Sequence, residues 1–340
     1  MQKIFYIGGR SGGHITPLLS LIKNRKNNAE EESIIITTNS TLDYQIINDA
    51  SYIKPDSHVT INLENIPKKI NEFFPYFINL IKSFIKIFTL FYKKKPDIIY
   101  TTGGYISVIG CIIAIFFRTK IILYCLDVIP GKASRLISKF ANEVHLIFEE
   151  TPKYLKIKKE KYFFTKMPIR FTENDIKDNK EIKNKLNINT ECLIIFIIGG
   201  SQGSIEINKI FFHSITEILN NKNISIEKLF CIHQTGVSNL NEVTAWYKNN
   251  KINSIVFGYN FNLSDYYNAS DIVITRAGAI TLSELAFFKK KTLIIPLKGI
   301  ANDHQTKNAL QFIRDCPLME AIINNENIKE KTIEFIKKNI

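Results

Sequence analysis

The chain has 340 residues and is 45% hydrophobic; that length exceeds the roughly 250–300 residues at which a single core stops growing, so two domains are expected. Its formal charge of +13 favours polyanions or an anionic membrane, but nucleic acid has no support beyond bulk charge, because the sequence holds no C-x-x-C pair, no Cys and His at zinc spacing and no Arg-rich aromatic patch. Five scattered cysteines in largely apolar runs argue against a disulfide framework, and Met1–Ile7 leaves no room for a signal-peptide core, so a reducing compartment without export is expected. The excess of lysine fits equally well a broad bias in a chain crowded with Ile, Asn and Lys.

In chain order, Lys3–Ile7 is predicted as a strand, followed by the loop Gly8-Gly9-Arg10-Ser11-Gly12-Gly13-His14 and a helix starting near Thr16-Pro17, where Pro17 suits the first helical position. Ser33–Thr38 is a second strand. Phe73–Tyr92 carries Phe77, Ile81, Phe84, Phe88 and Phe91 at helical spacing, with Lys82 and Lys86 beside the stripe. Such a helix suits either an anionic lipid surface or a buried face. The uncharged run Ile98–Phe117 has the length of a membrane span, yet Thr102-Gly103-Gly104-Tyr105 near its start favours a strand, a glycine turn and a buried helix. Further strands are expected at Lys120–Tyr124 and Glu143–Phe148. Cys192–Ile198 then leads into Gly199-Gly200-Ser201-Gln202-Gly203-Ser204 and a helix from Ile205, an echo of the opening that predicts two doubly wound α/β domains. Leu229–His233, Ile255–Phe257, Ile272–Thr275 and Thr292–Ile295 supply the second sheet. The charged stretch Lys156–Thr190 contains the boundary, giving domains 1–165 and 166–340, and the helix after Ile322 is expected to pack back on the N-terminal domain.

Glycines directly after a buried strand let a ligand approach the backbone, and the helix that follows offers free N–H groups to an anion. Neither glycine loop has the G-x-G-x-x-G or the Gly-Lys-Ser/Thr spacing of the common nucleotide loops. His14, at a loop-to-helix junction, suits a general base or a residue capping or lining the turn. In Thr275–Ala286, Thr281 and Glu284 share a helical face; Glu284 could accept ribose hydroxyls, or Thr281-x-x-Glu284 could be a capping box. Asn302, Asp303, His304, Gln305 and Asn308 give a dense set of groups for binding a sugar, and no third and fourth metal ligand accompanies Asp303 and His304.

Taken together, Gly9–Pro17, Gly103-Gly104-Tyr105 with Gly110, Gly199–Gly203, Arg276–Glu284 and Gln305–Ala309 resemble, in order and along nearly the whole chain, the motifs of the MurG family, the undecaprenyldiphospho-muramoylpentapeptide β-N-acetylglucosaminyltransferases. The resemblance implies a GT-B fold, two Rossmann-like doubly wound parallel-sheet domains facing across a cleft. It implies inverting transfer of N-acetylglucosamine from UDP-N-acetylglucosamine to the C4 hydroxyl of the muramoyl sugar of lipid I, giving lipid II for the cell wall, with no cofactor and no obligatory metal. On the family pattern His14 is the base; Ser11, Gly12 and Gly13 hold the developing charge or the acceptor diphosphate; Asp127 is a substrate-binding residue of the acceptor side and Arg170 sits beside a diphosphate; Ser201, Gln202, Ala279, Glu284, His304 and Gln305 serve the donor. Phe77, Ile81, Phe84, Phe88, Lys82 and Lys86 would contact an anionic membrane at the cytoplasmic face of a bacterial inner membrane, where lipid I and other cell-wall synthesis enzymes are the implied partners. Tyr124-Cys125-Leu126-Asp127 departs from the family's His-Glu-Gln-Asn, Ala277 replaces a Ser, and Lys166-Met167 replace Gly-Asn. These departures keep two alternatives in view: another GT-B enzyme, such as a polyprenyl or glycolipid glycosyltransferase or a UDP-N-acetylglucosamine 2-epimerase, and a catalytically idle membrane adaptor.

Overall fold

The computed structural model describes residues 1–26, 30–50, 53, 55–63, 67, 69, 72–221, 225–296, 303–323 and 327–340; Asn302 lies outside them. The chain divides into two compact units, Met1–Arg170 and Phe171–Ile340.

The first unit runs β1 (Gln2–Ile7), α1 (Gly12–Lys26), β2 (Glu31–Thr38), α2 (Thr41–Asp49), β3 (Ser57–Ile61), α3 (Phe73–Lys94), β4 (Ile98–Thr101), α4 (Tyr105–Phe116), β5 (Lys120–Cys125), α5 (Lys132–Phe140), β6 (Glu143–Leu146) and β7 (Tyr162–Phe164). Its sheet is parallel in the order β3-β2-β1-β4-β5-β6-β7. Ile4, Phe5, Tyr6 and Ile7 of β1 are all fully buried, as a central parallel strand covered on both faces requires. Ile87 and Phe91 dock α3 on that sheet, Phe91 meeting Phe5 edge-on at 4.9 Å. Burying each of these side chains is worth about 1.5–3 kcal/mol. Lys95, left-handed at φ 51°, and Pro96 end α3.

The second unit runs α6 (Asn179–Lys185), β8 (Leu193–Ile198), α7 (Ile205–Asn220), β9 (Leu229–Gln234), α8 (Leu240–Asn249), β10 (Ser254–Phe257), α9 (Ser264–Ala269), β11 (Ile272–Thr275), α10 (Ala279–Phe287), β12 (Lys291–Ile294), α11 (His304–Asp315), β13 (Met319–Ala321) and α12 (Ile328–Lys338). The sheet order β10-β9-β8-β11-β12-β13 repeats the winding of the first. The expected internal echo is therefore topological: β1 and β8 occupy the same central place, where the strand order reverses.

Several expectations need correction. The helix after the first glycine loop starts at Gly12, and Pro17 lies inside it, fully within the buried face, where the bond to the carbonyl of Gly13 is lost. The division between units falls at Arg170–Phe171 rather than at 165/166, because β7 still pairs with β6 and the carbonyl of Arg170 accepts from Lys23 Nζ at 3.4 Å. Within the second unit, Ile333, Phe335 and Ile336 of α12 join Phe211, Ile215 and Ile218 of α7 in one core. Three strands escaped the sequence pattern, β3, β7 and β13, all short and at or next to a sheet edge.

Candidate functional site

In open parallel sheets ligands bind beyond the carboxyl ends of the strands, beside the strand where the order reverses. In the first unit that point lies between β1 and β4, and the loops after them carry Gly8–Ser11 and Thr102–Gly104. A side chain at Gly8 would crowd the turn, since a Cβ would come within 2.8 Å of the Leu18 side chain and 3.2 Å of the carbonyl of His14. Arg10 follows with φ 68°, a conformation that costs a non-glycine residue. What holds it is Asp43. This carboxylate is completely buried and accepts from the backbone N–H of Arg10 (2.8 and 3.0 Å), the N–H of Thr38 (2.9 Å) and the hydroxyl of Thr38 (2.6 Å). Sequence reasoning missed Asp43, whose spacing from Ser40, the cap of α2, reads as ordinary helix capping.

His14 is the third residue of α1 and half-buried, so it does not cap the turn. Its Nδ1 lies 3.2 Å from Thr102 Oγ1, and that hydroxyl donates to the carbonyl of His14 at 3.1 Å. Burial lowers the His14 pKa below the ordinary value, against the raising pull of Asp127, a hydrogen bond to the Thr102 backbone and Asp43, so the neutral ring is favoured at pH 7. Across from the ring, Gly104 has φ 84°, and a Cβ there would sit 3.7 Å from Nε2. Gly103 is fixed behind it: a Cβ would meet Ser134 Oγ at 2.2 Å, and its carbonyl accepts from Ser107 Oγ at 2.6 Å. Of the other residues expected to form the site in the first unit, Gly13 is exposed, Ser11 and Asp127 are half-buried, and Gly12 and Arg170 are buried. Tyr124 stacks on His145 at 4.6 Å and Cys125 lies in the core, so the departure at these two positions is spent on packing within β5.

In the second unit the reversal lies between β8 and β11. Gly203 (φ 74°) and Gly236 (φ 78°) interlock the loops after β8 and β9, for a Cβ on Gly203 would fall 1.8 Å from the carbonyl oxygen of Thr235. Gly200 (φ 86°) instead faces open space, and Ser201 and Gln202 beside it are half-buried and exposed. Gln234 Nε2 donates to the carbonyl of Gly200 at 3.0 Å, while its buried Oε1 and the buried Nε of Arg276 have no hydrogen-bond partner among the described residues. Two such polar atoms at the ends of β9 and β11, the strands on either side of β8, call for a polar ligand. Ala279 opens α10, whose cap is Gly278; Thr281 and Glu284 are inside the helix, which removes the capping-box reading. Glu284 is 1% exposed and accepts from the hydroxyl of Tyr267 at 2.9 Å. Gln305 is buried and His304 half-buried at the start of α11, and Asn308 Nδ2 ties that helix to the carbonyl of Ala277 at 3.2 Å.

On α3, Phe77, Ile81, Phe84 and Phe88 are 58%, 44%, 39% and 40% exposed, whereas Phe91, from the same stripe, is in the core. Lys82 is exposed; Lys86, also exposed, reaches the carbonyl of Thr60 at 2.6 Å. Ile112, Ile115 and Phe116 of the adjoining α4 are exposed as well. Among the described residues α3 is the one helix long and apolar enough to cross a bilayer, by length and composition.

Comparison with known proteins places this geometry. The glycosyltransferase family 28 N-terminal domain matches residues 4–146 and the family's C-terminal domain residues 194–337. The UDP-N-acetylglucosamine–N-acetylmuramyl-(pentapeptide) pyrophosphoryl-undecaprenol N-acetylglucosamine transferase of Borrelia turicatae is 33% identical over 346 residues, covering 99% of this chain and 88% of its own. The protein of the same name from Thermosipho africanus is 32% identical over 348 residues, covering 98% and 92%. Among solved structures, MurG of Acinetobacter baumannii aligns with TM-score 0.66 at 19% identity over 99% of this chain and 90% of that one, and S. aureus MnaA with UDP aligns with TM-score 0.68 at 15% identity over 99% and 88%; at such identities these likenesses speak for the fold. Matched in both halves and related above 30% along nearly its whole length, the chain belongs to glycosyltransferase family 28, in its MurG branch, with a GT-B fold of two Rossmann-like domains.

Proposed function

We propose that this enzyme transfers N-acetylglucosamine from UDP-N-acetylglucosamine to the C4 hydroxyl of the muramoyl sugar of lipid I, forming lipid II and UDP with inversion at the anomeric carbon. The observation that carries the reading is His14: a neutral imidazole in the first turn of a helix, beside a bare glycine turn, at the strand-order reversal of the first sheet. A base there takes the C4 hydroxyl proton as that oxygen attacks the anomeric carbon. The bond to UDP breaks, the electron pair leaves on the β-phosphate, and no covalent sugar intermediate forms.

In this reading the first unit serves the acceptor. The N–H groups of Ser11, Gly12 and Gly13 at the start of α1 face its diphosphate, with Asp127 and Arg170 as further contacts. The second unit serves the donor. Ser201 and Gln202 at the start of α7 bind the phosphates and receive the charge that develops on departing UDP; Arg276 and Gln234 add the two polar atoms described above. Ala279 takes the nucleotide, Glu284, oriented by Tyr267, the ribose, and His304 and Gln305 the sugar. The exposed stripe of α3, with Lys82 and Lys86, lies against anionic lipid at the cytoplasmic face of the membrane, where a polyprenyl-linked acceptor is found.

The test is to incubate the purified protein with radiolabelled UDP-N-acetylglucosamine and lipid I. Label extracted with the lipid is expected. Label retained only in UDP-sugars, with the 2-epimer appearing, would replace this reading by the epimerase one, and UDP binding with neither product would replace it by the idle adaptor.

A further inference from the structure

We propose that Thr102 is a positioning residue that fixes the tautomer of His14, holding the proton on Nδ1 and leaving the Nε2 lone pair as the basic atom. A threonine hydroxyl has one proton to give and two lone pairs to offer. Thr102 Oγ1 stands 3.1 Å from the carbonyl oxygen of His14 and 3.2 Å from its Nδ1. The carbonyl oxygen can only accept, so a hydroxyl proton aimed at it leaves Oγ1 as the acceptor for Nδ1–H, and both contacts are hydrogen bonds. In the reverse arrangement, with the hydroxyl proton aimed at Nδ1, the contact to the carbonyl has no proton in it and one bond is lost. The two-bond arrangement therefore prevails, and the ring nitrogen on the far side carries no hydrogen.

Three further features support the assignment. Thr102 is 3% exposed, so water does not compete for the hydroxyl. Gly8 faces the pair: a Cβ there would come within 3.2 Å of the carbonyl of His14 and 3.3 Å of Thr102 Oγ1, so a side chain at this position would press on the clamp. Nε2 looks toward Gly104, where a Cβ would sit 3.7 Å from it, so the missing side chain leaves that edge of the ring uncovered. Thr102 directly follows β4 and His14 lies in α1, so the clamp joins the two loops that flank the strand-order reversal. A histidine tautomer set by its second nitrogen is a general device, and the wrong tautomer has no lone pair where the substrate proton is.

The assignment of the tautomer stands without any substrate; its consequence for sugar transfer rests on the reading of His14 as the base. The experiment is nitrogen NMR of the full-length protein labelled with 15N-histidine, at a pH where the ring is neutral, with the His14 signals identified by their loss in His14→Gln. Wild type is expected to show a protonated, pyrrole-like Nδ1 and a pyridine-like Nε2. Thr102→Ser, which keeps the hydroxyl, is expected to match it. Thr102→Val, which keeps the shape and loses the hydroxyl, is expected to shift toward Nε2–H and to lower kcat for transfer to lipid I by about tenfold or more, within the ~10²–10⁴-fold that a positioned base contributes, with the KM for UDP-N-acetylglucosamine unchanged. A wild-type ring protonated on Nε2 overturns the inference even if the valine variant fails to fold, and so does a folded Thr102→Val protein that retains Nδ1–H. A wild-type ring protonated on Nδ1 in a protein that transfers no sugar to lipid I upholds the tautomer and removes the base reading instead.

Discussion

At the scale of single residues, two histidines of this chain show how surroundings decide a role. His233 is fully buried with both nitrogens engaged, Nδ1 with Tyr247 and Nε2 with Asn208 at 3.0 Å each, and burial pushes its pKa down to about 3; it is a neutral packing element that cannot take up a proton at working pH. His14 has one nitrogen engaged and one open. Because burial lowers its pKa, the neutral, basic form persists below the ordinary value of about 6.5. The acid limb of the profile of kcat/KM against pH is therefore expected below that value, with activity present above it and lost as pH falls through the lowered pKa. Asp127 raises this pKa, as Asp43 and the hydrogen bond to the Thr102 backbone do, so Asp127→Asn should move the limb to still lower pH. His14→Ala should remove the limb and lower kcat by about 10²–10⁴-fold, with donor affinity retained. A limb that moves upward in Asp127→Asn, or one that survives in His14→Ala, would assign the titration to another group.

At the scale of elements, α3 divides cleanly by face. Ser83, Ile87 and Phe91 are buried, while Phe77 and Ile81 are more than two-fifths exposed. Substituting Phe77→Ser and Ile81→Ser together should change stability little, as expected for surface positions, and should sharply reduce cosedimentation with vesicles containing anionic lipid. Ile87→Ala, on the other face, should cost about 2–5 kcal/mol in chemical unfolding and leave vesicle binding of the folded protein intact. Vesicle binding that responds to neither the Phe77/Ile81 pair nor added salt would place the lipid contact elsewhere. This element also marks the reach of the sequence. Periodicity located the helix and its stripe, but a period of 3.6 does not by itself say which part of a wide apolar face meets a sheet. Two of the edge strands were illegible for a related reason: Tyr162–Phe164 and Met319–Ala321 are three residues each, too short for any alternation to register.

At the scale of the whole molecule, the glycine loops were the most legible part, because a backbone at φ 74–86° or a Cβ colliding with a carbonyl leaves glycine as the only comfortable residue. The residues that hold those loops were less so. Asp43 is 33 positions from Arg10 and Thr102 is 88 from His14, and only the parallel pairing of β1 with β2 and β4 brings them together. The same winding, repeated in two separate cores, makes the assignment of the nucleotide to one unit testable. A ligand that binds only the folded form stabilises it by RT ln(1 + [L]/Kd), about 2.7 kcal/mol at a hundred times Kd. If UDP is held by the loops after β8, β9 and β11, saturating it to that degree should slow amide exchange in those strands by about a hundredfold wherever exchange requires the second unit to open, because their protection is set by that unit's own stability. Trp246, the only tryptophan, stacked on Phe212 at 4.0 Å in the same unit, should report a matching rise in its unfolding midpoint. Amides of β1 and β4, protected by the first core, should exchange at an unchanged rate. Equal protection of β1 and β4 would mean that the units open together, and protection of β1 and β4 alone would move the donor to the loop that carries His14.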